Sequence, residues 1–488
     1  MKLEELIEYL NYKDLLNFKS VEINGISYNS KTTKNGDIFI CLVGEHSDGH
    51  EYAQMAIDNG AVALLVEKPL DIKIPQVIVD NTRHRIADIA DRFYSRPSLG
   101  LNLYGITGTN GKTTVTHLLQ KIYEQNNEKC ALIGTLGYKL TSNGEYRDAK
   151  HTTPQAPELQ ATLRMIKDVE KIDNVVMEVS SHALEQNRVG GCRFNGAILT
   201  NLTQDHLDYH ITMENYFEAK SILFKNLQEG CFAVINNDDE WANRFLNIIP
   251  EDVKVITYGI KNNADIMAEN IDFSLNGAEF NLKIKNNEYK ISLHMNGMFS
   301  VYNVLAAVAA SYAMGIDISV AIKALESTKG VAGRFEVVNK KPLVIVDYAH
   351  TPDGLENVLK SAREITPTDS NLICLFGCGG DRDATKRPKM GAIAENLADK
   401  IVITSDNPRS EDPQQIITDI IAGLKTVNPD KVTVEQDRGK AIKLLKDIAN
   451  NNDVILIAGK GHEDYQILKD KTIHFDDREE AKKVFEGV

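Results

Sequence analysis

Tryptophan occurs once in 488 residues, and cysteine six times, at positions 41, 130, 192, 231, 374 and 378. No Cys-x-x-Cys pair is present. Cys374 and Cys378 stand inside an apolar run, where packing is the reading. This pattern fits a reducing compartment better than a disulfide scaffold. No apolar run is long enough to span a bilayer, so no membrane insertion is expected. The opening Met-Lys-Leu-Glu-Glu-Leu is charged and amphipathic, unlike a signal peptide, and the cytoplasm is the expected location. Positive charge is also short. There are 55 Lys and Arg against 69 Asp and Glu, a net charge of −14. That argues against nucleic acid and anionic lipid as partners. An anionic small molecule remains possible only where cations gather locally. Low-complexity tracts and short repeats are absent.

What remains is ordinary globular material, 42% hydrophobic and 25% charged. At ~100–200 residues per domain the length suggests three domains. Residues 1–95 read as a small mixed α/β domain, with a helix at Lys2–Leu10, strands at Gly36–Val43 and Ala61–Val66, and a helix at His50–Asp58 between them. Arg96-Pro97-Ser98-Leu99-Gly100 reads as a linker. Residues 96–330 carry apolar strands at Leu101–Thr107, Asn174–Val179 and Gly196–Thr200, of the kind buried on both faces of a parallel sheet. Ile271–Met295 alternates around Asn276-Gly277 and Asn286-Asn287, which predicts antiparallel hairpins beside that sheet. Asn303–Ala313 is predicted helical. Residues 331–488 repeat strand, polar loop and helix four times, with strands at Leu343–Val346, Leu372–Phe376, Lys400–Thr404 and Val454–Ala458. That grammar predicts a doubly wound parallel sheet with ligands at the strands' carboxyl ends.

The sharpest motif is Gly108-Thr109-Asn110-Gly111-Lys112-Thr113-Thr114, after a strand and at the start of a helix. Glycines let backbone N–H groups wrap a phosphate, and the helix N-terminus adds positive charge. Lys112 would reach the outer phosphates and Thr113 would support Mg²⁺. Ile106 stands where the general P-loop has its first glycine, so this is a variant loop. Glu178 ends an apolar strand, where a carboxylate either holds Mg²⁺ or merely faces solvent. His206, in Thr203-Gln204-Asp205-His206, could ligate a metal, although a loop histidine usually only hydrogen-bonds. Lys220 reads as a solvated helix lysine. Asp406-Asn407-Pro408-Arg409 follows a strand directly, and Arg382 lies on a neighbouring loop. Two such arginines could clamp a carboxylate, though either alone reads as a surface residue. Gly459-Lys460-Gly461-His462-Glu463 looks like a second phosphate loop, but no Ser or Thr follows the lysine.

Together and in this order, these motifs resemble the Mur ligase family, to which the folylpolyglutamate synthetases are related. Asp406-Asn407-Pro408-Arg409 resembles the motif of its diaminopimelate-adding branch. The resemblance spans nearly the whole chain. It implies a UDP-sugar-binding N-terminal domain, a central P-loop-type ATPase domain and a C-terminal Rossmann-like domain for the incoming amino acid. The implied reaction joins the D-glutamyl γ-carboxylate of UDP-N-acetylmuramoyl-L-alanyl-D-glutamate to meso-diaminopimelate through an acyl phosphate. It serves peptidoglycan synthesis, and hence cell-wall biogenesis, cell shape and division.

Residue by residue, the resemblance assigns Gly108 to Thr114, Asn303 and Arg334 to ATP. Lys112, Glu178, His206 and Lys220 become catalytic. Thr113, Glu178, His206 and a carbamylated Lys220 become magnesium ligands. Ser30, Thr152, Thr153, Ser180, Gln186 and Arg188 go to the UDP precursor. Arg382, Asp406, Asn407, Pro408, Arg409, Gly459 and Glu463 go to diaminopimelate. Asp347 and His350 match a family loop. The specificity argument expects a buried Arg409. Asn29 and Lys31 depart from the family's usual Asp and Arg, and Ser300 from its Asn. A monomer is expected. Sister ligases for lysine or folate, and a nucleotide-gated scaffold, are the rival readings.

Overall fold

Pleating sorts the apolar strands into layers. The protein is described by a computed structural model covering residues 1–44, 47–147, 151–274, 277–426 and 428–486. In its central sheet, Leu103, Val175 and Met177 point into one core, while Tyr104, Ile106 and Val176 point into another. Successive side chains of a strand face opposite ways, so an unbroken apolar run needs cover on both faces. Helices Lys112–Gln125 and Met298–Met314 cover one face; Ala156–Asp168 and Met213–Lys225 cover the other.

Among the described residues there are three main sheets and a small hairpin. The N-terminal sheet runs Asp14–Leu16, Gln76–Ile78, Ala63–Val66, Asp37–Ile40, Gly25–Ser27, and only its first pair is antiparallel. In the ten-stranded central sheet, Asn102–Thr107 lies between Gly196–Leu199 and Asn174–Glu178, all parallel. The chain leaves Asn102–Thr107 toward one edge and returns on its other side at Gly196–Leu199. The loop after Asn102–Thr107 thus sits at a switch point, where a crevice opens beyond the carboxyl ends of strands.

The C-terminal sheet runs Glu336–Lys340, Leu343–Asp347, Val454–Ala458, Leu372–Phe376, Lys400–Ile403, Val432–Val434, parallel after its first pair. Helices pack on both faces, with Leu372, Cys374 and Phe376 in one core and Ile373 and Leu375 in the other. Cys374 and Cys378 are both buried in packing. Among the described residues no helix is long and apolar enough to cross a membrane.

Several sequence expectations shift. The first helix is only Leu3–Ile7. Residues Pro97–Gly100 form a 3-10 turn with Pro97 and Ser98 buried, so this segment is docked rather than loose. The antiparallel strands Ile266–Ser274, Gly277–Ile284 and Asn287–Leu293 extend the central sheet itself rather than lying beside it. Asn276, named as a turn residue, lies outside the described residues. After the fourth C-terminal loop comes a hairpin, Tyr465–Leu468 with Lys471–His474, before helix Asp477–Phe485.

That last helix is tied down by charge. Arg438 donates through Nε and Nη2 to the two Asp477 carboxylate oxygens, each at 2.7 Å, with both side chains 0% exposed. Its Nη2 also reaches the Ala458 carbonyl at 2.9 Å. Removing one partner of a buried pair costs more than removing both. Arg438→Met should destabilise the C-terminal domain by about 3–5 kcal/mol, seen as an earlier calorimetric transition. Adding Asp477→Leu should recover most of that loss. A wild-type transition in the single variant would show that the pair contributes nothing.

Candidate active site

Two glycines shape the loop between strand Asn102–Thr107 and helix Lys112–Gln125. Gly108 has φ +145° and Gly111 φ +89°; a Cβ at Gly108 would strike Thr200 Oγ1, and one at Gly111 would strike Asn303 Oδ1. The loop is pinned at its back: Thr109 N donates to the Asn201 carbonyl and Asn110 N to Asn201 Oδ1, both at 2.9 Å. Lys112 Nζ curls onto the carbonyls of Gly108 and Thr109, each at 2.8 Å. Burial lowers its pKa.

Glu178, 1% exposed, meets the loop from the neighbouring strand. Its carboxylate accepts from Thr113 Oγ1 at 3.0 Å, Thr135 N at 3.0 Å and Thr135 Oγ1 at 2.9 Å. Arg334 Nη2 donates to Thr113 Oγ1 at 3.3 Å, and its Nε is buried without a partner. Among the described residues no three His, Cys, Asp or Glu side chains gather as a metal set. One buried carboxylate and a hydroxyl beside a phosphate loop is nonetheless the donor set Mg²⁺ takes when phosphates supply its other oxygens.

Lys220 is where sequence reading and structure differ most. The side chain is 1% exposed, and Nζ donates to the Gly108 carbonyl at 2.9 Å, 4.6 Å from the Tyr216 ring centroid. Burial, then Lys112 nearby, drives its pKa well below the usual lysine value, which favours the neutral amine. His206 adopts φ +54° on the adjoining loop, and burial pushes its pKa down to about 3. A neutral imidazole is a competent metal ligand. Burial opposes ionisation of the adjacent Asp205, but Lys386 and the backbone N–H of His206, at 2.9 Å, help to hold that carboxyl low.

Thr152, Thr153, Ser180, Gln186 and Arg188 form one connected patch next to Glu178. Thr153 Oγ1 donates to the Glu178 carbonyl at 2.9 Å, and Ser180 N donates to Thr153 Oγ1 at 3.0 Å. Arg188 reaches the Thr153 carbonyl at 3.1 Å and Gln186 Oε1 at 2.7 Å. Thr152 Oγ1 lies 3.2 Å from Thr135 Oγ1. Ser30 is separate, in the N-terminal domain, with Oγ 3.3 Å from Met55 Sδ. Asn303 and Arg334 line a cavity of about 250 Å³ with Tyr258, Phe299 and Tyr302, an aromatic slot beside the phosphate loop.

Four loops at the carboxyl edge of the C-terminal sheet face this assembly. They enclose a cavity of about 870 Å³ lined by Arg382, Asp406, Asn407, Arg409, Gly459 and Glu463. Asn407 Nδ2 donates to Glu463 Oε2 at 2.8 Å, and Gln466 Nε2 and Ile467 N of the unforeseen hairpin hold Asp406 O and Asn407 Oδ1. Gly459 has φ +122°, and a Cβ there would stand 2.5 Å from Asp406 Oδ2. Arg409 is partly exposed rather than buried, and it bonds only carbonyls, of Gly380 at 2.9 Å and Asn407 at 3.3 Å. Arg382 is exposed at the lip, and Pro408 is not among the lining residues. Lys460 is wholly buried against Glu463 at 3.0 Å, which accounts for it without a second nucleotide.

Sequence reading did not single out Thr135, Asp205 or Tyr348. Thr135 and Asp205 lie in loops after strands, a place but not a chemical cue. Tyr348 stacks between Arg334, 4.5 Å from its ring, and His462 at 4.8 Å.

Comparison with known proteins accords with this geometry. Three family models match in order: "Mur ligase family, catalytic domain" over residues 22–94, "Mur ligase middle domain" over 106–311, and "Mur ligase, glutamate ligase domain" over 333–461. A UDP-N-acetylmuramoyl-L-alanyl-D-glutamate–2,6-diaminopimelate ligase of Halalkalibacterium halodurans is 45% identical over 98% of this chain and 97% of its own length. The enzyme of that name from Listeria monocytogenes is 45% identical over 99% and 98%. A solved structure of a ligase of that name superposes with a TM-score of 0.67 at 34% identity, covering 95% of each chain. A Thermotoga maritima MurF ligase in complex with ADP shares the fold at 18% identity, with a TM-score of 0.65 over 95% of this chain and 97% of that one. The chain belongs to the Mur ligase family.

Proposed function

We propose that this chain is the ATP-dependent ligase joining meso-diaminopimelate to UDP-N-acetylmuramoyl-L-alanyl-D-glutamate in peptidoglycan precursor synthesis. The carrying observation is that two chemically distinct cavities share a wall. The cavity at the phosphate loop, lined by Lys112, Glu178 and Lys220, shares Thr152, Asp205, His206 and His350 with the one holding Arg382 and Arg409. An acyl group activated on one side can meet an amine held on the other without passing through solvent. In this reading residues 1–95 receive the UDP precursor, 96–330 ATP, and 331–488 the amino acid.

The chemistry follows from the side chains. A γ-carboxylate oxygen of the D-glutamyl residue attacks the γ-phosphorus of ATP, the bond to ADP breaks, and an acyl phosphate forms. The amine then attacks the acyl carbon, the C–O bond to phosphate breaks, and the amine gives up a proton. Loop N–H groups and Lys112 receive phosphate oxygens as Lys112 exchanges its carbonyl contacts for ligand. Thr113, Glu178 and His206 would hold Mg²⁺, which when bound neutralises phosphate charge. Lys220 has the neutral amine that adds CO₂ with loss of a proton, and the resulting carbamate would supply a further anionic oxygen. Arg382 and Arg409 would clamp the far carboxylate of diaminopimelate, a group lysine lacks. Asn303 and Arg334 would border the nucleotide; Thr152, Thr153, Ser180, Gln186 and Arg188 would hold the dipeptide, and Ser30 the uridylyl end.

Phosphate release with the UDP-muramoyl dipeptide, ATP and Mg²⁺ should be fast with meso-diaminopimelate and slow with L-lysine. Arg409→Ala should lower kcat/KM for diaminopimelate by about 100-fold or more, the ~3 kcal/mol of a charged hydrogen-bonded pair, while ATP affinity changes little. Equal efficiency in the variant would end the clamp assignment. For Lys220, labelled bicarbonate should give a carbamate NMR signal that disappears in Lys220→Ala, together with most of the turnover. Full activity in Lys220→Ala would remove the carbamate from the mechanism.

A further inference from the structure

Lys386 opens helix Lys386–Leu397 and is 7% exposed. Its neighbour Arg387 is just as deep but answered twice, by Glu411 at 2.8 Å and Asp419 at 2.8 Å. Among the described residues Lys386 has no side-chain hydrogen bond and no ion pair; it lines the 870 Å³ cavity. Its place in the helix compounds this. The first turn contains no acidic residue, and the helix N-terminus itself carries partial positive charge. A buried cation that bonds no acid directly, at the positive end of a helix, keeps its N–H donors for a ligand's anion.

The direction it faces narrows that anion. Groups that feel its charge include Asp205 and His350, both on the rim shared with the phosphate-loop cavity. Glu463, which lines the same cavity, answers to Asp406 and Lys460. Lys386 therefore stands beside the junction where the activated acyl group meets the amine.

We propose that Lys386 is a further catalytic residue: its ammonium binds the phosphoryl oxygens of the acyl phosphate and stays with the phosphate as it leaves. This rests on the ligase reading above. As the amine nitrogen bonds to the acyl carbon and the C–O bond breaks, the electron pair passes to phosphate, and the charge growing there is what Lys386 stabilises. The amine's proton leaves to solvent.

The test uses full-length Lys386→Met and Lys386→Arg with the complete substrate set. In Lys386→Met, kcat should fall about 100-fold. KM for ATP and for diaminopimelate should each stay within about threefold, and hydroxylamine should still trap the acyl phosphate. Lys386→Arg should restore part of kcat. The thermal midpoint of Lys386→Met should stay close to that of wild type, because the lysine bonds no protein group directly. A raised KM for diaminopimelate at unchanged kcat would assign the lysine to the amino acid's carboxylate and overturn the proposal. So would unchanged kinetics, or a lowered midpoint in both variants with activity lost only in proportion to unfolding. If wild type binds ATP but forms no product with either amino acid, the ligase reading falls and this inference falls with it.

Discussion

Everything at the centre of this molecule hangs on the Glu178 carboxylate. It ends a strand buried on both faces and accepts from Thr113, the first hydroxyl of the phosphate-loop helix, and twice from Thr135, on the loop of the next strand. Its own carbonyl accepts from Thr153, which carries Arg188 and Gln186 with it. Room for the side chain depends on Gly134, where a Cβ would press on the Glu178 carboxyl carbon at 2.8 Å. One anion thus fixes the phosphate loop, the neighbouring strand end and the proposed dipeptide patch in a single frame.

The C-terminal domain is fastened to that frame from across the cavity. Asp353, at the start of helix Pro352–Glu364, accepts from Asn110 of the phosphate loop at 2.9 Å and from Thr203 at 3.2 Å. Lys389 reaches Gln204 at 2.5 Å, and Arg334 reaches Thr113. These polar contacts join site loops to the first turns of helices Pro352–Glu364, Lys386–Leu397 and Lys112–Gln125, and Phe299 adds apolar packing against the C-terminal core. A few polar contacts of this kind break at smaller cost than an extensive shared hydrophobic core.

The fold was legible wherever one strand or helix decided the matter. Helix Lys112–Gln125 begins at the lysine that the glycine pattern indicated, and Leu372–Phe376 and Val454–Ala458 are strands at their expected bounds. Strands Cys130–Gly134, Phe232–Asn236 and Lys254–Gly259 went unread, because short apolar runs carry no period that marks them out. Within the site, Asp406 to Arg409 could be placed by sequence because they follow a strand directly. The burial of Lys220 could not. Helix Met213–Lys225 buries Tyr216, Phe217, Ala219, Ser221, Leu223 and Phe224 around it, and burial on nearly all sides arises from tertiary packing that a lysine codon does not announce. The hairpin that holds Asn407 was missed for a related reason: Tyr465–Leu468 is four residues long and acquires its role only by folding back over another loop.

Six cations in and around the two cavities fall into two kinds. Arg387, Arg438 and Lys460 each bond a carboxylate, and each braces loops or helices of the C-terminal domain. Lys112, Lys220 and Arg409 bond only backbone carbonyls, of Gly108, Thr109, Gly380 and Asn407. With 69 acidic residues available against 55 basic ones, a shortage of acids cannot explain the second group. A carbonyl holds an ammonium or guanidinium in place but does not neutralise it, so these side chains keep a charge, or a nucleophilic amine, that an anionic ligand can claim without first displacing a fixed carboxylate. Lys386 carries the pattern further, bonding neither an acid nor a carbonyl directly. The distinction also sets Gly459-Lys460-Gly461 apart from a phosphate loop, which it resembles in sequence: Glu463 already occupies its lysine.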